Sequence, residues 1–156
     1  VTTCDCIKSS VEFAYEEGNQ SNENNNKDEQ VTTLVMSNDT FLPIDDKKGF
    51  RQVVEVATDW FLDKYNMQNP EKTIKIDLTD YKMLKCWGES YKQDENHYVI
   101  SVATDQYLRD FIATLMHELV HVWQWERGEW EDDGEREAED KQYELADEFW
   151  KKGLIR

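Results

Sequence analysis

The fold class this chain predicts is α+β: a small, mostly antiparallel sheet packed on one central helix, with an N-terminal helix before it and a closing helix after it. Three observations lead there. Apolar residues recur at helical spacing in three separate stretches. Between the first and second of these, short runs alternate apolar and polar residues and are separated by turn signals. The length of 156 residues suffices for one core but not for two.

Residues 1–45 read as an N-terminal appendage to a domain over 46–156. Gly18 to Gln30 contains no apolar residue, so nothing in it offsets the entropy of ordering, and about 18–30 is expected to be a loop or disordered tether. Val11 to Tyr15 and Val31 to Met36 flank it as candidate short strands, and Pro43 marks the approach to the first clear element. From about Asp46 to Asn66, the residues Phe50, Val53, Val54, Ala57, Trp60, Phe61 and Tyr65 trace one helix face that ends before Asn69-Pro70. Thr73 to Leu78 alternates Ile74, Ile76 and Leu78 with polar neighbours, a half-buried strand. Met83 to Tyr91 reads as a second strand interrupted by Gly88, and His97 to Val102 as a third after the turn signal Gln93 to Asn96. Thr104 is the candidate N-cap of the central helix, which runs to about Arg127 and stops at Gly128. An acidic loop, Trp130 to Gly134, leads into a closing helix over about Glu135 to Lys151.

The central helix carries Thr114-Leu-Met-His-Glu-Leu-Val-His-Val-Trp-Gln124, in which two histidines stand four residues apart around a glutamate. Positions i and i+4 lie one above the other on a helix, so His117 and His121 can present their imidazoles to one metal ion. Glu118, one position round, can take a proton from a water bound there. This is HExxH, the signature of zinc hydrolases. Two of the chain's three histidines fall in it, and the residues around them are uncharged.

Three glutamates downstream compete to complete the site. At 100° per residue Glu135 shares a direction with Ala138, Gln142, Leu145 and Phe149, the face expected to meet the preceding helix. Glu139 lies at the edge of that face, placed to support a ligating histidine by a hydrogen bond, and Glu137 points the other way, toward water. The ranking is therefore Glu135, then Glu139, then Glu137. His97, at the start of a strand, is expected at the surface rather than at the metal.

Ile100-Ser-Val followed by the helix Tyr107 to Trp125 resembles the zincin superfamily of metallopeptidases, and the order of elements from Asp46 onward is similar to its SprT-like members. The likeness covers about the last 110 residues, with the motif helix as its specific part. SprT-like peptidases take a histidine as third ligand, whereas here Asp133-Gly134-Glu135 follows the active helix and no histidine lies beyond His121. Glu135-Arg-Glu-Ala-Glu139 instead resembles the Glu-x-x-Ala-Asp segment of gluzincins, in which the first carboxylate binds zinc and the last supports a histidine. The resemblance implies a minimal zincin fold, Zn2+ on His117, His121 and Glu135, Glu118 as general base, and endopeptidase activity. It also implies a substrate laid along an exposed strand edge, for which His97 to Val102 is the expected strand, with Tyr98 or Tyr143 as candidates to steady the oxyanion. Two other classes stay open: a non-catalytic acidic binding or inhibitory module on the same scaffold, and a metal-dependent hydrolase of non-peptide amides.

Eighteen basic against 34 acidic residues give a net charge of −16, which disfavours direct binding of nucleic acid and suits a protein or peptide substrate, possibly a basic one. Twelve of the carboxylates lie between Glu126 and Glu148, against Arg127, Arg136 and Lys141. No apolar run is long enough to cross a bilayer, so a soluble protein is expected, cytoplasmic in preference to secreted. Cys4, Cys6 and Cys86 are too few and too unevenly spaced for a disulfide framework or zinc knuckle, and read as ordinary free or paired thiols.

Overall fold

The computed structural model describes residues 31–38 and 44–155. The candidate strand Val11 to Tyr15, the tether 18–30, Cys4 and Cys6 lie outside them.

In chain order the elements are β1 (Thr33–Asn38), α1 (Ile44–Lys64), β2 (Thr73–Thr79), the single turn α2 (Tyr81–Leu84), β3 (Gly88–Asp94), β4 (His97–Ala103), α3 (Leu108–Arg127) and α4 (Glu135–Lys151). The class is α+β as expected, but the sheet is not mostly antiparallel. Its strands run β1-β2-β4-β3, with β1 parallel to β2, β2 parallel to β4, and only β3 antiparallel to β4. The connections explain this. Helix α1 crosses from β1 back to β2 as a parallel connection requires, while Glu95-Asn96 folds β3 onto β4 as a tight hairpin. That hairpin inserts β4, not β3, beside β2. β1 falls within the stretch 1–45 read as an appendage, and it forms one side of the sheet.

Three further expectations are corrected here. Met83 to Tyr91 is not one strand. Asp80 accepts the Met83 N–H at 2.8 Å and Lys85 turns left-handed at φ 68°, so this stretch first closes a helical turn and extends only from Gly88. His97 to Val102 is not an edge, because β4 is paired on both sides; β3 is the outer strand on that side. Nor does Thr104 cap α3, whose N-cap is Tyr107. The Thr104 hydroxyl instead donates to Thr79 O at 3.1 Å, tying the end of β4 to the end of β2.

Helix α3 is buried over most of its circumference: Phe111, Ile112, Ala113, Leu115, Met116, Leu119, Val120 and Val122 are all within the core. A helix apolar nearly all round must lie between layers. Phe50 of α1 packs edge-on against Phe111, and Ala138, Leu145, Ala146 and Phe149 of α4 close the core on that side, with Trp60 tilted over Phe149. Gly128 ends α3 at φ 82°, its N–H bonded to Gln124 O, so the chain reverses into the acidic loop before Gly134 starts α4. Cys86, just before β3, is buried and disulfide-bonded. Among the described residues no helix is long and apolar enough to cross a membrane.

Candidate metal centre

The i, i+4 spacing on α3 and the short loop to α4 bring His117, His121 and Glu135 together. One ligand-type atom from each lies within 4.8 Å of the others, and the group could hold a metal ion. His117 Nε2 is 3.0 Å from Glu135 Oε1, and His121 Nε2 is 2.8 Å from Glu135 Oε2. His121 is fully buried and His117 nearly so, whereas the Glu135 side chain is about one fifth exposed, so the centre opens to solvent past the carboxylate.

The far sides of both rings are held by glutamines. His117 Nδ1 lies 2.7 Å from Gln142 Oε1 and His121 Nδ1 lies 2.9 Å from Gln124 Oε1. Around Gln124 the proton count is determined. Its Nε2 donates to Gly134 O at 3.0 Å and to Glu137 Oε1 at 2.8 Å, both of which can only accept. The amide oxygen therefore faces His121, and Nδ1 must carry the proton it donates. In neutral His121 that leaves Nε2 as a bare lone pair 2.8 Å from a carboxylate oxygen, acceptor against acceptor. Only a proton on Nε2 or a cation shared by the two groups relieves this. Two imidazoles with donating Nδ1–H groups and one carboxylate are the donor set suited to a borderline-soft divalent ion, and the residues fit such a group.

Electrostatics agree with the geometry. Burial alone would pull the His117 pKa down, but the hydrogen bond to Glu135, the charge of Glu118, the bond to Gln142 and the Glu135 charge outweigh it and raise it to about 9. Burial would push the Glu135 carboxyl up, yet its bonds to the two imidazoles hold it far below the usual carboxylate range.

Glu118 is also buried. The Ser90 hydroxyl, reaching across from β3, donates to its Oε1 at 2.7 Å. Gly88 makes that approach possible: a Cβ there would stand 2.5 Å from Thr114 Cγ2 and 3.0 Å from Glu118 Oε2. Gly134 has a parallel role. It sits at φ 80°, and a Cβ on it would lie 2.3 Å from Gln124 Oε1.

The remaining candidates are placed elsewhere. Glu139 is exposed and touches neither imidazole, so the support expected from it comes from Gln124 and Gln142 instead. Glu137 does not simply face water; it takes Gln124 Nε2 and, at 3.0 Å, Arg127 Nη2. His97 is in the β3–β4 hairpin, its Nδ1 2.7 Å from Asp94 Oδ1. Both candidate phenols are committed to carboxylates: Tyr98 donates to Glu126, and Tyr143 to Asp110 at 2.6 Å. Gln124, Gln142, Ser90 and Gly88 were not picked out from the sequence. Gln124 left one signal, a polar residue on the face of a buried helix one turn past His121, and Gln142 shares the helical direction of Glu135.

The chain matches no family model, and no curated protein or solved structure proved similar to it.

Proposed function

We propose that the chain is a zinc-dependent endopeptidase of the zincin type. The observation that carries this reading is Glu118: a purely structural metal site has no need of a general base, yet here a carboxylate directly follows the first ligand and is locked in place by Ser90. His117, His121 and Glu135 would hold the ion. Zinc bound there would supply a Lewis acid and a water of lowered pKa. Glu118, its Oε1 fixed by the Ser90 hydroxyl, would accept the proton of the attacking water and pass it to the departing amine. Gln124 and Gln142 keep the Nδ1 protons in place, so that both Nε2 lone pairs face the same point.

The test is metal analysis of the purified chain together with hydrolysis of an unstructured protein by the parent and by Glu118→Gln. The reading requires one zinc per chain in both and activity in the parent alone, general-base catalysis being worth roughly 10²–10⁴-fold. Zinc in both with hydrolysis in neither would leave an acidic binding module on a metal-stabilised scaffold. Cleavage confined to small non-peptide amides would leave a different hydrolase.

A further inference from the structure

A cavity of about 580 Å³ opens at the start of α3, lined by Trp87, Thr104, Asp105, Gln106, Tyr107 and Asp110. Its lining includes Asp110, on the face of α3 that also carries Glu118. Asp110, Thr114 and Glu118 follow one another at i, i+4 and i+8 on one face of α3. Thr114 Oγ1 bonds Gln106 Oε1 at 3.2 Å, and Trp87 precedes Gly88, which packs on Thr114 and Glu118. Eight residues of helix place Asp110 about 12 Å from Glu118 along the axis, the length of three to four residues of extended peptide.

The lining has one chemical character. Trp87 is backed by Tyr81, ring centroids 4.4 Å apart, and Tyr107 is 83% exposed at the rim. Two carboxylates stand among these rings. Each accepts one hydrogen bond, Asp105 from Tyr81 N at 2.9 Å and Asp110 from the Tyr143 hydroxyl. Neither has an ion-pair partner among the described residues, whereas Glu137, Asp147 and Glu148 each have one. Arg109, adjacent to Asp110 in sequence, is taken by Asp147 through two hydrogen bonds of 3.1 Å. An open cavity with aromatic walls, two carboxylates that form no ion pair among the described residues and no basic lining residue complements a cation on an apolar stem.

We propose that this cavity binds a lysine or arginine side chain of the substrate, three to four residues from the bond that is cut, and so selects basic peptides. The proposal rests on the peptidase reading for its substrate, but its test does not depend on hydrolysis. Fluorescein-labelled ten-residue peptides of glycine, serine and alanine carry one lysine, one norleucine or one glutamate at the same position, and their binding to zinc-loaded Glu118→Gln full chain is followed by anisotropy. Lysine should bind about tenfold more tightly than norleucine, with glutamate weakest, a ratio set by two partly screened ion pairs. In the Asp105→Asn/Asp110→Asn variant lysine should fall to the norleucine level while norleucine is unchanged. Equal binding of lysine and norleucine by the Asp105/Asp110 protein overturns the proposal, as does a lysine preference that survives in the double variant. Exchanging lysine for norleucine in the peptide tests the charge even if the double variant does not fold. A lysine preference without zinc-dependent cleavage by the parent would refute the peptidase reading and leave the cavity assigned; cleavage without preference would do the reverse.

Discussion

Replacing Gln124 by methionine, close to it in volume, tests whether this one amide sets the tautomer of His121. The side chain is fully buried and makes three hydrogen bonds: one from His121 Nδ1 at 2.9 Å, one to Gly134 O at 3.0 Å and one to Glu137 at 2.8 Å. At about 1 kcal/mol net each, their loss should lower the unfolding free energy by about 3 kcal/mol. Freed of its acceptor, His121 can move its proton to Nε2, and removing such an outer support typically weakens metal binding 10–100-fold, or about 1.4–2.7 kcal/mol. Competition titration with a chromophoric chelator reads the affinity, and urea unfolding in excess chelator reads the stability. Gln124→Glu separates the two effects. Its carboxylate can still accept from Nδ1 but cannot donate to Gly134 O or Glu137, so affinity should recover while stability does not. Zinc affinity of Gln124→Met within twofold of the parent would refute the argument that this amide fixes the tautomer.

The three downstream glutamates should separate in the same titration. Glu135→Ala should abolish tight binding; Glu137→Ala should weaken it severalfold by releasing Gln124; and Glu139→Ala should leave it unchanged. Equal effects at 135 and 139 would contradict the placement of α4. In the metal-free chain, His117 raised from 6.5 to about 9 gives stability that is complete below pH 6.5 and fades as the pH rises through 9. The depressed Glu135 contributes above about 4.5 and loses its contribution as the pH falls toward its folded value. Since a ligating imidazole must be neutral, zinc binding near pH 7.5 should release about one proton from His117, and apparent affinity should rise about tenfold per pH unit up to 9. Calorimetry in two buffers of different ionisation enthalpy counts that proton, and a count of zero refutes the charged state assigned to His117. Gly88→Ala should cost roughly 1–3 kcal/mol of stability and lower hydrolysis with zinc retained, because its Cβ would press on Thr114 and Glu118; unchanged activity would mean that the contact of β3 with Glu118 is not needed.

The three long helices are legible in the sequence because each buries a stripe with a 3.6-residue period, and α3 and α4 end where Gly128 and Lys151 suggest, whereas the single turn α2 buries no residue and leaves no such pattern. Strand direction was not legible. Alternation along Thr73–Thr79 and His97–Ala103 marks which side chains are buried but carries no information on whether the neighbouring strand runs with or against them. The turn signal at Gln93 to Asn96 is legible, and the insertion of β4 between β2 and β3 that follows from it is not. At the candidate site, the i, i+4 histidines and the helical phase of Glu135 could be read because they follow from one helix at a time. Gln124, Ser90 and Gly88 could not, since their importance arises only where a second element approaches.

The proposed centre has two origins along the chain. His117, His121 and Glu135 lie within nineteen residues of one another on consecutive helices, whereas Glu118 is held by Ser90, twenty-eight positions earlier on another layer. Loop closure is fast and entropically mild over short separations, and slower where a sheet must first assemble. The helical hairpin can therefore gather the three donor side chains early in folding, while Glu118 is locked only when β3 pairs with β4. A chain caught between these stages could hold an ion without directing a base at its water, so cleavage of neighbouring chains, or of itself, would await completion of the sheet.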